Sequence, residues 1–195
     1  MVKILKNLGL IEKEVYQKGL LYWFYSFPNK ETSLNELSSN LHISKTNAKR
    51  IVEILVKEGF LKREIYGKTW RITCDKDHPY NFTRKIAFNL TMVYESYREG
   101  IMDDISKLVG NIRSVILFGS YRKGDDTEES DVDIAVEVLN NEEIRIVELG
   151  VIPKFGFRRN VKVNLHIFSR SNIDINLFSN IANGIVLDGF LEVRP

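Results

Sequence analysis

The chain has one cysteine, Cys74, in 195 residues. A lone thiol forms no internal disulfide and matches no zinc-ligand spacing, so disulfide-stapled and zinc-finger architectures are excluded and a reducing compartment suits the composition. Long apolar runs are also missing. The longest, LLYWFYSF at 20–27, is far short of a bilayer span, and the opening MVKILKNLGL leads into no signal-peptide core. No internal repeat or low-complexity stretch is visible. These absences leave the expectation of a soluble, cytoplasmic, globular protein without a membrane partner. Its apolar fraction of 44% is enough for a real core in one good-sized domain or two small ones.

Net charge is small, +2, but it is unevenly spread. Residues 1–79 carry 14 Lys and Arg against 9 Asp and Glu, whereas residues 80–195 carry 14 against 17. A basic first part and an acidic second part suggest two modules with different partners, one of them polyanionic.

Residues 31–73 order their signals as short helices followed by strands. Ser33-Leu34-Asn35-Glu36 is a capping box, in which the Ser hydroxyl takes the free amide of the third residue while Glu reaches back. Ser44 can cap a second helix whose Ala48, Ile51, Val52 and Leu55 fall on one face, and Gly59 supplies its stop. FLKREIYGKTWRIT then reads as a hairpin about Gly67. With an aromatic-rich helix expected at about 11–26, the order resembles a winged helix-turn-helix. That resemblance implies that Lys45, Thr46, Asn47, Lys49 and Arg50 face a DNA major groove while hairpin cations, Lys68 among them, meet phosphates. Protein docking is the competing use of such a module. Trp23 and Trp70 are assigned to packing, because a stacking platform needs aromatics interleaved along a basic strand face.

From Pro79 onward, apolar residues recur at 82, 86, 90, 93, 94, 97, 101, 105 and 108. Steps of three and four predict one long amphipathic helix at about 80–108, weakened at Gly100. Its stripe could pack within the chain or against a second copy, which would make a homodimer.

The chemistry gathers in LFGSYRKGDDTEESDVDIAV at 117–136. SVILF at 114–118 reads as a buried strand that Gly119-Ser120 ends in a tight turn. VDIAVEV alternates, placing Val132, Ile134, Val136 and Val138 on one face and Asp131, Asp133, Ala135 and Glu137 on the other. Carboxylates two residues apart on a strand project the same way, close enough to share one hard divalent cation. An edge strand protected by charge is the plainer reading of such acids.

Gly119-Ser120, ten residues, then Asp131-Val132-Asp133 resembles the signature of the DNA polymerase β-type nucleotidyltransferase superfamily, in particular its minimal nucleotidyltransferases. The likeness covers roughly residues 109–195. It implies transfer of a nucleoside monophosphate from a nucleoside triphosphate to an acceptor hydroxyl, on a protein or a small molecule. It also implies two Mg2+ ions held by Asp131 and Asp133, and a triphosphate seated by Gly119, Ser120 and Lys123, with Arg122 beside them. The family carries a third carboxylate on a later strand. Here the candidate strand is VKVNLHIF at 161–168, and Asn164 stands at that place among the catalytic set. Asn offers a carbonyl oxygen but neither charge nor basic site, so the second metal should bind less well. His166, two residues on, is either a base or metal ligand or a hydrogen-bonded structural residue. EEIRIVELGVIPKFGF is expected to be a crossover helix ending near Pro153, and IDINLFSNIANGIVLDGFLEV a short helix, a stop at Gly184 and a final strand.

The expected fold class is therefore α/β (α+β). A winged helix domain at 1–79 precedes a small mixed β-sheet nucleotidyltransferase domain with flanking helices at 80–195, which includes the connecting helix. Two functions compete: a Mg2+-dependent nucleotidyltransferase, and a DNA-binding transcriptional regulator whose impaired nucleotidyltransferase module senses nucleotide or serves as a scaffold.

Overall fold

The computed structural model describes residues 17–193, in two compact units, Met1–Arg84 and Lys85–Pro195. It is a mixed α/β chain with two sheets. Residues 11–16 of the first expected helix lie outside the described residues. No helix among the described residues is long and apolar enough to cross a membrane.

In the first unit, α1 (helical over 17–26) buries Leu20, Trp23 and Phe24. Next, α2 (Leu34–Leu41) begins with the capping box: Glu36 N donates to Ser33 Oγ at 3.3 Å and Ser33 N to Glu36 Oε2 at 2.7 Å. Ser44 caps α3 (Lys45–Lys57), which buries Ala48, Ile51, Val52 and Leu55. The helix stops at Gly59, whose φ of +83° places it in the left-handed region. β1 (Leu61–Tyr66) and β2 (Thr69–Cys74) then pair antiparallel. Asn81 closes the unit, donating to the carbonyls of Phe60 at 3.2 Å and Asp75 at 2.6 Å and accepting from the Tyr25 hydroxyl at 3.1 Å.

The long helix is two helices. α4 (Pro79–Arg98) and α5 (Ile101–Leu108) are separated at Gly100, whose φ of +107° no continuous α-helix contains. The apolar stripe also differs from its expected role. Of Phe82, Ile86, Leu90, Val93, Tyr94 and Tyr97, only Val93 is fully buried, and Tyr94 is 62% exposed. Within the second unit, the inward face of α4 instead carries Lys85, Phe88, Asn89 and Ser96. Polar side chains occupy that face because they bond a loop beneath it.

The second unit is a five-stranded mixed sheet ordered β5-β6-β4-β3-β7. Its strands are β3 (Ile112–Phe118), β4 (Val132–Val138), β5 (Arg145–Phe155), β6 (Arg158–Phe168) and β7 (Ile185–Gly189). β4 and β6 are parallel and the other neighbours antiparallel. The link between the parallel pair is strand β5, which corrects the crossover helix expected at 142–157. The segment tolerates an edge position: Gly150 makes a bulge at φ +138°, and Pro153, which cannot donate to a ladder, is exposed. Its Ile and Val residues then favour the pleated state.

α6 (Gly119–Lys123) follows β3, so Gly119-Ser120 opens a helical turn rather than a simple reversal. α7 (Ile175–Ala182), capped by Asp174, packs Leu177, Phe178 and Ile181 over Ile116, Phe118, Ala135 and Phe168. That cover buries Ala135; Glu137, farther along the same face of β4, is buried as well. Glu137 is compensated there by Ser114 at 3.3 Å and Arg170 at 3.2 Å.

The loop from Gly124 to Asp131 hangs on a buried polar cluster. Asp126, 3% exposed, accepts from Asn89 Nδ2 at 2.7 Å and pairs with Lys85 Nζ at 3.3 Å, while Lys85 also donates to the Asp126 main-chain carbonyl. Arg158 donates to the carbonyls of Thr127 at 3.0 Å and Ser130 at 2.8 Å and to the Tyr121 hydroxyl. Burial pushes the Asp126 carboxyl above its usual range, and Lys85 and Asn89 pull it back. Removing one partner of such a pair strands the other charge. Asp126→Ala is expected to destabilise the chain by about 3–5 kcal/mol, measured as a lowered midpoint of urea unfolding; a midpoint unchanged from the parent would show that the cluster contributes nothing.

Candidate active site

The site is built where β3 ends and β4 begins, beside the middle of β6. Asp131 sits one residue before β4 and Asp133 is its second residue, so both project to the face opposite Val132 and Ile134. Both acids are half-buried, and Asp133 keeps 28% of its side chain exposed. On this face α7 covers Ala135 but leaves the aspartates at the open end of the strand.

Register decides their neighbours. Asp133 lies opposite Phe118 of β3 on one side and Asn164 of β6 on the other. Gly119 therefore follows directly beside Asp133, at φ +70°, and a methyl group added to it would stand 2.7 Å from Asp133 Oδ2. Both the backbone angle and the space demand glycine. The result is a bare backbone pressed against a carboxylate, a cradle that any side chain at 119 would fill.

From β6, the Asn164 amide reaches Asp131 Oδ2 at 3.4 Å and His166 Nε2 lies 3.2 Å from Asp133 Oδ1. The His166 ring stands edge-on to Phe118 with centroids 4.9 Å apart, and its Nδ1 is buried without a partner among the described residues. Thus the expected gathering of Gly119, Asp131, Asp133 and Asn164 is present, and His166 completes it as a neighbour of Asp133. Ser120 and Lys123 lie on the short α6 beside this group, Ser120 half-buried and Lys123 exposed.

The donor set is compatible with a hard cation. Two carboxylates share a face, no Lys or Arg ion pair to either is found among the described residues, and the Asn164 carbonyl could serve after rotation of its amide. No cluster of three or more His, Cys, Asp and Glu suited to a metal occurs among the described residues.

Lys85, Asn89, Asp126 and Arg158 escaped sequence reasoning. They position the loop that delivers Asp131, and their only trace in the sequence is polar residues at 85 and 89, one turn apart on a helix whose apolar stripe points elsewhere.

In the first unit, Lys45, Thr46, Lys49, Arg50 and Lys68 are exposed and Asn47 is half-buried. Lys49 Nζ is 5.6 Å from the centre of the Trp70 ring and the Arg63 guanidinium 4.3 Å, so α3 and the hairpin share one basic surface around a half-buried indole.

Residues 98–179, which include β3, α6, β4, β5 and β6, match the family described as the nucleotidyltransferase domain. Two proteins of Methanocaldococcus jannaschii, each provisionally named a protein adenylyltransferase, are similar over a short stretch. One is 61% identical over 31 residues, 16% of this chain and 31% of the relative. The other is 57% identical over 30 residues, 15% of this chain and 30% of the relative. The chain thus spans under a third of the length of these curated relatives.

Gly119→Ala is expected to cost about 1–2 kcal/mol of stability from the left-handed backbone alone, whereas Gly110→Ala, with open space around it, should be near neutral. Thermal unfolding of both variants checks this; equal behaviour would mean that Gly119 has freedom the cradle does not allow.

Proposed function

We propose that the second unit is a magnesium-dependent nucleotidyltransferase that moves a nucleoside monophosphate from a nucleoside triphosphate to an acceptor hydroxyl. The observation that carries it is the placement of Asp131 and Asp133 on one face, with Asp133 against the bare backbone of Gly119. The names of the two partial relatives favour ATP as donor and a protein as acceptor. In this reading the acceptor oxygen bonds to the α-phosphorus and the bond from that phosphorus to the bridging oxygen breaks. Pyrophosphate leaves with the electron pair.

The chain's own residues divide the work. Asp131 and Asp133 hold the cation; Gly119 leaves room for phosphate beside them, and Ser120 and Lys123 seat the triphosphate. Bound Mg2+ would neutralise phosphate charge and ease loss of the acceptor's proton. Asn164 provides no basic site, so the proton passes to water, which makes for a slow enzyme with a weak second metal.

The first unit fits a winged helix that binds DNA, through Lys45, Thr46, Asn47, Lys49 and Arg50 on α3 and Lys68 on the hairpin. The neutral Asn164 favours a second reading, in which the chain is a DNA-binding regulator and the second unit senses nucleotide without turnover.

Three measurements separate these readings. With radiolabelled ATP and magnesium, the parent should label an acceptor protein and Asp131→Ala should lose at least about a hundredfold of that rate; nucleotide binding with no label in any acceptor supports the regulator. Asn164→Asp should tighten manganese binding, read by calorimetry, by about tenfold, equivalent to about 1.4 kcal/mol. Affinity for duplex DNA should fall steeply with salt, and Lys49→Ala with Arg50→Ala should flatten that slope by about two; a slope unchanged by the pair excludes phosphate contact from α3.

A further inference from the structure

His166 has no role among those assigned above, and its surroundings give it one. By register it lies beside Ala135, and Asn164 beside Asp133, yet the imidazole Nε2 reaches Asp133 Oδ1 at 3.2 Å and the Asn164 amide reaches Asp131 Oδ2 at 3.4 Å. Both β6 side chains therefore lean one pair toward the start of β4. Packing holds the imidazole in that lean. Its ring stands edge-on to Phe118, with centroids 4.9 Å apart, and Phe118 is itself 6% exposed in the core beneath α7. Only 14% of the His166 side chain is exposed.

The two ring nitrogens meet different surroundings. Nδ1 is buried and has no partner among the described residues, whereas Nε2 faces a carboxylate oxygen. A proton on Nδ1 would leave a buried N–H unsatisfied and set the bare Nε2 lone pair against that carboxylate; a proton on Nε2 makes a hydrogen bond and leaves only a lone pair at Nδ1. The second arrangement is favoured, so His166 donates to Asp133. That donation matters because the plane of an Asp carboxylate is poorly fixed by its own terminal torsion. With Oδ1 held by His166, the other oxygen is turned toward Gly119: Oδ2 is the atom that a methyl group at 119 would meet at 2.7 Å.

We infer that His166 is a positioning residue, which holds Asp133 Oδ1 through its Nε2–H and so presents Oδ2 to a divalent cation beside Gly119. The inference rests on the reading of Asp131 and Asp133 as the residues that hold that cation. It removes two other uses of the imidazole. Nε2 cannot coordinate a cation or take an acceptor's proton while it carries its own, and Nδ1 is buried out of reach of either.

Ring-nitrogen NMR of the full chain labelled with 15N-histidine, at about pH 8, where an ordinary imidazole is neutral, reads the tautomer without turnover. His166 is one of three histidines, and its signals are those that vanish in His166→Gln. The metal-free parent should carry a proton on Nε2 and none on Nδ1, and added magnesium should leave that pattern in place. A proton on Nδ1 with Nε2 bare, or an Nε2 that gives up its proton to the added ion, overturns the inference. Calorimetry with manganese then tests the positioning. His166→Gln keeps an N–H at the place of Nε2 and should bind within about threefold of the parent, whereas His166→Asn and His166→Leu, which put no donor there, should each bind about tenfold more weakly. A merely structural imidazole would lower the melting temperature without separating Gln from Asn. Manganese affinities that do not distinguish Gln from Asn and Leu would sink the inference and spare the transferase; the expected order of affinities, with no transfer to any acceptor, would do the reverse. A parent that binds no manganese overturns both.

Discussion

The approach of Gly119 to Asp133 constrains everything around it, because a backbone and a carboxylate share a space with no room for one more carbon. That proximity is a product of strand register. Phe118 pairs with Asp133 across β3 and β4, so the next residue of the β3 strand must pass the acid wherever the chain then goes. A slip of one residue would turn the aspartates to the opposite face, where Val132 and Ile134 pack into the core. The hydrophobic alternation of β4 therefore holds the polar end of the same strand in position. Stability and site geometry come from one pattern.

A second constraint lies one layer out. The loop between α6 and β4 is rich in acids and has little apolar anchorage of its own, yet it must deliver Asp131 at a defined height. Lys85 and Asn89 from α4 and Arg158 from the start of β6 hold it through its carbonyls and through Asp126. Buried charge of this kind adds little net stability compared with an apolar core, but it fixes geometry by penalising every arrangement that leaves a partner unmatched. The long helix thus turns polar groups inward and leaves Phe82 and Tyr94 at the surface.

At the centre, the two aspartates meet an amide at Asp131 and an imidazole at Asp133. Neither partner brings the fixed positive charge that would compete strongly with a cation. Asn164 itself adds no charge. The same strand end therefore carries two negative charges beside a neutral amide, and this balance lies behind both functional readings.

The sequence by itself determined the local features. Ser33, Glu36 and Ser44 cap helices through contacts three residues away, Gly59 and Gly67 turn the chain, and the alternation of β4 with the Gly119-Ser120 spacing marked the acids. Such signals are legible because their physics acts within a few residues. Only the tertiary structure decided the rest. It made residues 145–155 a strand, since an edge position accommodates Gly150 and Pro153 and pairing with β6 outweighs local preference. It also rotated α4 so that Lys85 and Asn89 face inward, and it set His166 against Asp133. Those outcomes depend on partners tens of residues distant in the chain, which no local spacing encodes.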